Sequence, residues 1–264
     1  KHGRFLVAMS GGVDSSVAAV MLHEQGYEVI GLTMKTWDYA SSGGSSKETG
    51  CCSLDSINDA RALAVGYGFP HYILDIRSEF GDFIINNFVD EYLAGRTPNP
   101  CVLCNTHIKW EALLKRANML DCEFIATGHY AQVRKENNRH VVSRGIDSNK
   151  DQSYVLWGLS QESLQRTIFP LGKFTKPAIR EMAHKYNFSE LANKPESYDI
   201  CFIPISRART RSALSAFTAS LYTTSSVSSG MLLASCPKQT STPFFASIDV
   251  VGDSSLSDPF TVLP

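Results

Sequence analysis

The chain has 264 residues, a formal net charge of −1 at pH 7 and a 43% hydrophobic composition, enough for one large domain or two ordinary ones around a sizeable core. The near-zero charge excludes a basic field over the whole protein, so any nucleic-acid contact has to come from a local patch. No apolar run approaches the ~18 residues of a bilayer helix, the apolar part of KHGRFLVAMSGG is too short for a signal peptide, and seven cysteines, an odd number, argue against a complete disulfide framework; the expectation is a cytoplasmic protein with reduced thiols and no membrane segment.

Over the first 130 residues, strands and helices alternate. RFLVAM (4–9) is a short apolar run ending at a glycine pair, the signature of a buried strand. SSVAAVMLHEQG (15–26) has helical spacing and stops at Gly26, and EVIGLTMK (28–35) is a second strand. Residues 36–50, with SSGGSS, read as a loop. SLDSINDARALAVGYG (53–68) reads as a helix with Ser53 as N-cap and Gly66 and Gly68 at its end. HYILDI (71–76) is a third strand, residues 79–95 and 106–120 carry helical stripes, and EFIATG (123–128) is a fourth strand. This rhythm predicts a doubly wound parallel sheet, with ligands beyond the carboxyl ends of its strands. From residue 131 the pattern changes to a hairpin turning near Asn137-Asn138. Two or three helices follow within 151–169 and 175–187, Thr175 capping the last, and ESYDICFIP (196–204) reads as extended. The expected units are 1–130, 131–204 and an unmatched Ser/Thr-rich tail, 205–264, whose composition suits disorder.

Two stretches carry chemistry. SGGVDSS (10–16) follows a strand and opens a helix; its glycines let the backbone approach a ligand, and the helix N-terminus favours an anion. An ordinary tight turn is the competing reading, and neither a Walker loop nor a dinucleotide fingerprint is present. Asp14 within an anion site is costly unless a cation joins it to the phosphate, which points to Mg²⁺. In TPNPCVLCN (97–105), Cys101 and Cys104 stand three apart, a spacing open to a zinc hook, a redox pair, half a disulfide or a nucleophile.

SGGVDSS after a first strand resembles the pyrophosphate loop of the ATP pyrophosphatases, which cleave ATP between the α- and β-phosphates and adenylate a carbonyl oxygen. GLTMKTWD (31–38), GRTPNPCVLCNTHIKW (95–110), ATGHYA (126–131), KDQSYVL (150–156), FPLG and TK within 169–176, and ICFIP (200–204) occur in that order. Together they resemble the tRNA-specific 2-thiouridylases of the MnmA type, over roughly residues 4–204. The resemblance implies an α/β doubly wound, adenine nucleotide alpha hydrolase-like fold with a small, mostly helical tRNA-binding extension. It implies an ATP-dependent tRNA-uridine 2-sulfurtransferase that adenylates the wobble-uridine C2 oxygen and replaces it with sulfur. ATP would be cradled by Ala8, Met9, Ser10, Gly11, Gly12, Val13, Asp14 and Ser15, with Met34 and Gly128 on the adenosine side. For Met34 the residues alone favour plain core packing.

By the same resemblance Cys201 carries a persulfide, Cys104 is the second, nucleophilic thiol, and a Cys104–Cys201 disulfide closes the cycle. Cys104 is expected just before a helix that begins near Thr106, a setting that favours thiolate. Asn99, Pro100 and Cys101 match the target-base contact, and Lys150, Asp151 and Gln152 a tRNA contact; Asp14 completes the catalytic set. Cys101 departs from the Asp common in the family. It either sits beside the base without a ligand role or joins Cys104 and Cys201 as three ligands of a [4Fe–4S] cluster. Zinc, with His107 as the only nearby fourth donor, is a weaker choice. Arg134, Lys135, Arg139 and Arg144 flank the hairpin as phosphate contacts or as a solvated face, while Asp55 and Asp59 read as surface helix residues. The implied partners are tRNA and either a persulfide-donating sulfur carrier protein or inorganic sulfide. The family's C-terminal β-barrels have no counterpart after residue 204, which implies a shifted reading frame or a divergent tail. Two other functions remain open: a truncated, inactive ATP- or tRNA-binding module, and an amide-forming ATP pyrophosphatase, which would need neither Cys104 nor Cys201.

Overall fold

Phe5, Leu6 and Val7 are all fully buried, so the strand they share is covered on both faces rather than alternating between core and solvent. The computed structural model, which describes residues 3–37, 53–194 and 200–202, places this strand, β1 (Arg4–Ala8), at the centre of a five-stranded sheet. Lys1–Ser206 form one compact unit; the second unit, Arg207–Pro264, lies outside the described residues, as do Cys51, Cys52 and most of the loop expected at 36–50. Among the described residues, no helix is long and apolar enough to cross a membrane.

Helix α1 (Val13–Glu24) follows β1, then β2 (Glu28–Lys35), α2 (Leu54–Tyr67) and β3 (His71–Asp75). Ser53 caps α2 by accepting a hydrogen bond from Ser56 N at 3.1 Å, and Gly68, at φ 75°, closes it in the left-handed conformation that glycine adopts without strain. Residues 77–93 are helical throughout, as α3 (Arg77–Phe80), a π-helical stretch (Gly81–Ile85) and α4 (Asn86–Leu93). A second composite helix contains α5 (Pro100–Leu103), a π-helical stretch (Cys104–Lys109) and α6 (Trp110–Met119), leading into β4 (Phe124–Thr127). It starts six residues earlier than the expected 106. Asn99 Oδ1 accepts from Val102 N at 3.3 Å, and Pro100 fills the first helical position, where its missing N–H costs nothing.

The antiparallel hairpin of β5 (Ala131–Glu136) and β6 (Arg139–Arg144) turns at Asn137 and Asn138, both at positive φ (45° and 65°), as its twist requires. A 3₁₀ turn (Ser153–Val155) and α7 (Gln161–Gln165) occupy part of the expected 151–169 helical region. Thr167–Ile168, expected as helix, is instead the strand β7, paired parallel to β4. Its two residues are too few for any sequence period to register. Helices α8 (Lys176–Lys185) and α9 (Ser189–Asn193) follow. Thr175 sits at the N-cap of α8, but its side chain makes no capping bond. Asp147 Oδ2 takes Lys176 N there at 2.8 Å.

The sheet order is β3-β2-β1-β4-β7, all parallel. The chain leaves β1 in one direction and returns on its other side at β4, so the switch point lies between the carboxyl ends of these two strands. Leu6, Ile30, Leu32, Leu113, Ala117 and Ile125 fill one side of the sheet, against α6. Trp110, 1% exposed, anchors a neighbouring cluster with Val155, Leu156 and Phe169. Its Nε1 donates to Thr167 Oγ1 at 2.8 Å, and that hydroxyl donates to Ser163 O at 2.6 Å, so a large side chain is buried with its polar atom satisfied. Trp110→Ala should therefore cost about 3–5 kcal/mol, read as a lowered urea midpoint by far-UV circular dichroism. A loss below about 1 kcal/mol would show that the Trp110 cluster is not part of the cooperative core.

Candidate active site

The crevice at the switch point is lined by the turn after β1 and by Gly128 after β4. Gly11 has φ 67°, and a Cβ there would lie 2.0 Å from Ser56 O, so helix α2 presses directly on the loop backbone. A Cβ on Gly128 would lie 2.8 Å from Ser15 N, so β4 delivers its last residue against the first turn of α1. Only glycine satisfies both approaches. Gly12 is the N-cap of α1 and provides no side-chain cap. Within the turn, Ser15 Oγ accepts from Ser10 N at 3.0 Å, while the Oγ of Ser16, fully buried, has no partner. An uncapped helix start with an unsatisfied hydroxyl suits an anion with several acceptor oxygens. Met34, the penultimate residue of β2, is partly buried against the Leu6 cluster.

Asp14 has a cation already. Lys176 Nζ, on a residue 6% exposed, lies 2.7 Å from both carboxylate oxygens, and the Tyr130 hydroxyl donates to Oδ1 at 2.7 Å. The charge balance that pointed to Mg²⁺ at this carboxylate is thus supplied by a side chain 162 residues away in sequence. A second lysine reaches the loop: Lys194 Nζ donates to Gly11 O at 3.0 Å and to Ser56 Oγ at 3.2 Å, and pairs with Asp59 Oδ2 at 2.7 Å. Asp59, expected as a plain surface acid, has this specific partner. Lys176, Tyr130 and Lys194 had no assigned role in the sequence reading. Lys176 and Tyr130 stand within the quoted TK and ATGHYA stretches, the one signal that marked them.

His129 sits between Trp110 and Phe169, with ring centroids 5.8 and 6.1 Å away, and its Nδ1 shares a hydrogen bond with Thr127 Oγ1 at 2.8 Å. Burial, and secondarily the charge of Lys109, push its pKa down to about 3, so the ring is neutral at physiological pH.

The residues expected at the tRNA contact are fastened to the crevice. Gln152 Oε1 accepts from Tyr130 N at 3.0 Å, and Gln152 N donates to Tyr130 O at 2.9 Å. Asp151 accepts from Gly145 N at 3.0 Å and from Ser153 Oγ at 2.7 Å. These carboxylate and amide oxygens therefore hold the loop in place. Arg134, Lys135, Arg139 and Arg144 are exposed on the hairpin, Arg134 within 3.0 Å of Glu136.

Cys104 lies inside the composite helix rather than ahead of it. The expected helix-N-terminal placement is corrected by the Asn99 cap, which starts the helix at Pro100. Cys101 is exposed, Cys104 buried and Cys201 intermediate. Phe202, 1% exposed, packs between Phe80 and Phe88 at 5.8 and 5.3 Å. This seats the Cys201 segment on the helical stretch 77–93, against which α5 and the Cys104 turn also pack. Both thiols thus border the same helical element. Among the described residues, no three His, Cys, Asp or Glu side chains gather into a metal-holding group. Cys101, Cys104 and Cys201 do not form such a group among the described residues.

An all-parallel sheet with a glycine turn and an uncapped helix at its switch point defines an α/β protein of the pyrophosphate-loop class. The family model described as tRNA methyl transferase HUP domain matches residues 3–205, and the chain belongs to that family, in its MnmA-type branch. The proteins called tRNA-specific 2-thiouridylase MnmA from Cytophaga hutchinsonii and Amoebophilus asiaticus are each 74% identical over 204 residues; the alignments cover 77% of this chain and 55% and 54% of those proteins. The protein of the same name from Salinibacter ruber is 67% identical over 207 residues, 54% of its length. The chain spans about half the length of these curated relatives. A solved 4-thiouridine synthetase–RNA complex with bound ATP aligns over 83% of this chain and 50% of that chain, at 17% identity and a TM-score of 0.48, too remote to carry an argument.

Two measurements follow from this geometry. Asp14→Asn and Lys176→Met should each destabilise the fold, and the double variant should show a coupling of about 0.5–3 kcal/mol in a denaturation cycle. Strict additivity would mean that the pair does not exist in solution. For His129, the folded pKa of about 3 lies below the ordinary 6.5, so the unfolded chain binds a proton first as pH falls. Stability should decline through pH 6.5 and continue to decline toward pH 3, and His129→Gln should flatten that slope between pH 7 and 5.5. An unchanged slope would mean that the ring is solvated.

Proposed function

We propose that this chain is the nucleotide-activating and sulfur-transferring part of a tRNA 2-thiouridylase. The observation that carries the reading is the pairing of an anion-ready glycine turn with two cysteines, Cys104 and Cys201, whose segments pack on one helical stretch, 77–93. High identity to relatives bearing that name supports it. The start of α1, from Ala8 to Ser15, would hold the ATP phosphates, with Met34 and Gly128 toward the adenosine; Mg²⁺ bound with the triphosphate would offset its charge. Lys176 and Tyr130 hold Asp14 in place, and Lys194 holds the loop through Gly11 O.

The uridine C2 oxygen attacks the α-phosphorus and pyrophosphate leaves, which turns a poor leaving group into part of AMP. The terminal sulfur of a Cys201 persulfide then attacks C2, and AMP leaves. The Cys104 thiolate attacks Cys201 Sγ, which breaks the persulfide S–S bond, leaves sulfur on C2 and forms a Cys104–Cys201 disulfide. An external thiol reduces that disulfide, and a persulfide-carrying protein reloads Cys201. In this reading Asn99, Pro100 and Cys101 would contact the target base, and Lys150, Asp151 and Gln152 would contact the tRNA. Because the chain spans about half its relatives, a second reading stands beside this one: a piece that binds ATP and tRNA without turnover.

Cys104→Ser and Cys201→Ser should each abolish 2-thiouridine formation, scored by tRNA retardation in mercury-containing gels, while ATP affinity stays within about twofold, since a hydroxyl neither carries sulfur nor forms the disulfide. Thiolation at the parental rate by either variant would remove that cysteine from the mechanism. ATP and tRNA binding without thiolation by the parent chain would select the second reading.

A further inference from the structure

The segment SYVLWGL (153–159) is firmly anchored, yet it presents two large aromatic side chains to solvent. Val155, Leu156 and Leu159 are buried in the Trp110 cluster. Asn105 Nδ2 donates to Val155 O at 3.1 Å within the core. A Cβ on Gly158 would lie 2.3 Å from Thr106 Oγ1, so the segment is pressed against the Cys104 turn. Between these anchors Tyr154 is 62% exposed and Trp157 74% exposed. Burying Val155 and Leu156 does not require Tyr or Trp at the outward positions, and Trp157, 74% exposed, contributes little to that packing.

The surroundings indicate a ligand. On one side, the 3₁₀ turn carrying Tyr154 packs against α5, the turn of Pro100 to Leu103 that holds Cys101. On the other it packs against β6 of the hairpin, whose exposed Arg134, Lys135, Arg139 and Arg144 are accompanied by one acid, Glu136. The turn that carries Tyr154 therefore touches both the cationic hairpin and the helical turn of Cys101. Cations track a phosphate backbone and aromatic faces take unstacked bases, the arrangement by which proteins hold single-stranded nucleic acid. A duplex offers no free base faces to such a surface.

We propose that Tyr154 and Trp157 form a base-stacking platform for unpaired nucleotides beside the target base, and so select single-stranded loop RNA over duplex RNA. This rests on the tRNA reading above. It adds a discriminating surface that the phosphate contacts cannot supply, because they are indifferent to pairing.

The test uses the full chain, a single-stranded RNA heptamer and a blunt RNA duplex of the same composition. Trp110 is 1% exposed and Trp37 is only partly accessible, so acrylamide quenching of tryptophan fluorescence reports chiefly on Trp157. The heptamer should protect this signal and the duplex should not. Trp157→Ala should weaken heptamer binding about 5- to 100-fold with an unchanged salt slope, and Trp157→Phe should restore most of it. Arg139→Ala should instead flatten the salt slope for both RNAs. Heptamer binding indifferent to Trp157→Ala, equal effects on the duplex, or an indole already shielded before RNA is added would each overturn the platform. If the heptamer binds normally to Trp157→Ala, the tRNA reading survives and only the platform falls. If the parent chain binds neither RNA, the tRNA reading falls and takes the platform with it.

Discussion

The pairing of Asp14 with Lys176 is the constraint on which the architecture of the crevice depends. The carboxylate stands in the first turn of α1, directly after the glycine turn, and the ammonium comes from the first turn of α8. Tyr130, just beyond β4, adds its hydroxyl to the same carboxylate. Asp147 fixes the other end of Lys176 by accepting its backbone N–H. One acid thus joins the glycine turn, the exit of the central sheet and the helical extension. Pairs this protected from solvent add little net stability over apolar replacements, but removing either member strands the other charge. The arrangement defines one geometry for the loop more than it raises stability.

The thiols are governed by a different device. Asn99 and Pro100 start the composite helix early, so Cys101 falls on its first turn and Cys104 on the next, with opposite exposure. Phe202 locks into the Phe80 and Phe88 rings and brings the Cys201 segment to the same helical stretch. The proposed sulfur exchange needs two cysteines with a shared neighbourhood and distinct accessibilities, so that one can be loaded from outside while the other waits inside. Both conditions come from packing around residues 77–93. Lys194, seven residues before Cys201, binds the carbonyl of Gly11 and so ties the glycine turn to the segment that precedes Cys201.

What the sequence by itself determined is the part of the protein written in local pattern. Apolar runs of 4–8 residues between glycines gave β1 to β4, helical stripes gave α1, α2 and α6, and Asn137-Asn138 set the hairpin turn. Ordered motifs placed the ligand turn and the cysteines, because each depends on residues adjacent in the chain. Tertiary structure alone decided the rest. Lys176 reaches Asp14 across 162 positions, β7 is a strand only because β4 offers it an edge, and the charge of Asp14 is balanced by a side chain that no local spacing could reveal. Cys101 and Cys104 stand three apart in CVLC, on neighbouring turns of one helix, yet one is exposed and the other buried, a difference set by what packs over each turn. Local backbone preferences act over a few residues, whereas burial, charge pairing and exposure depend on which distant segments the sheet brings together.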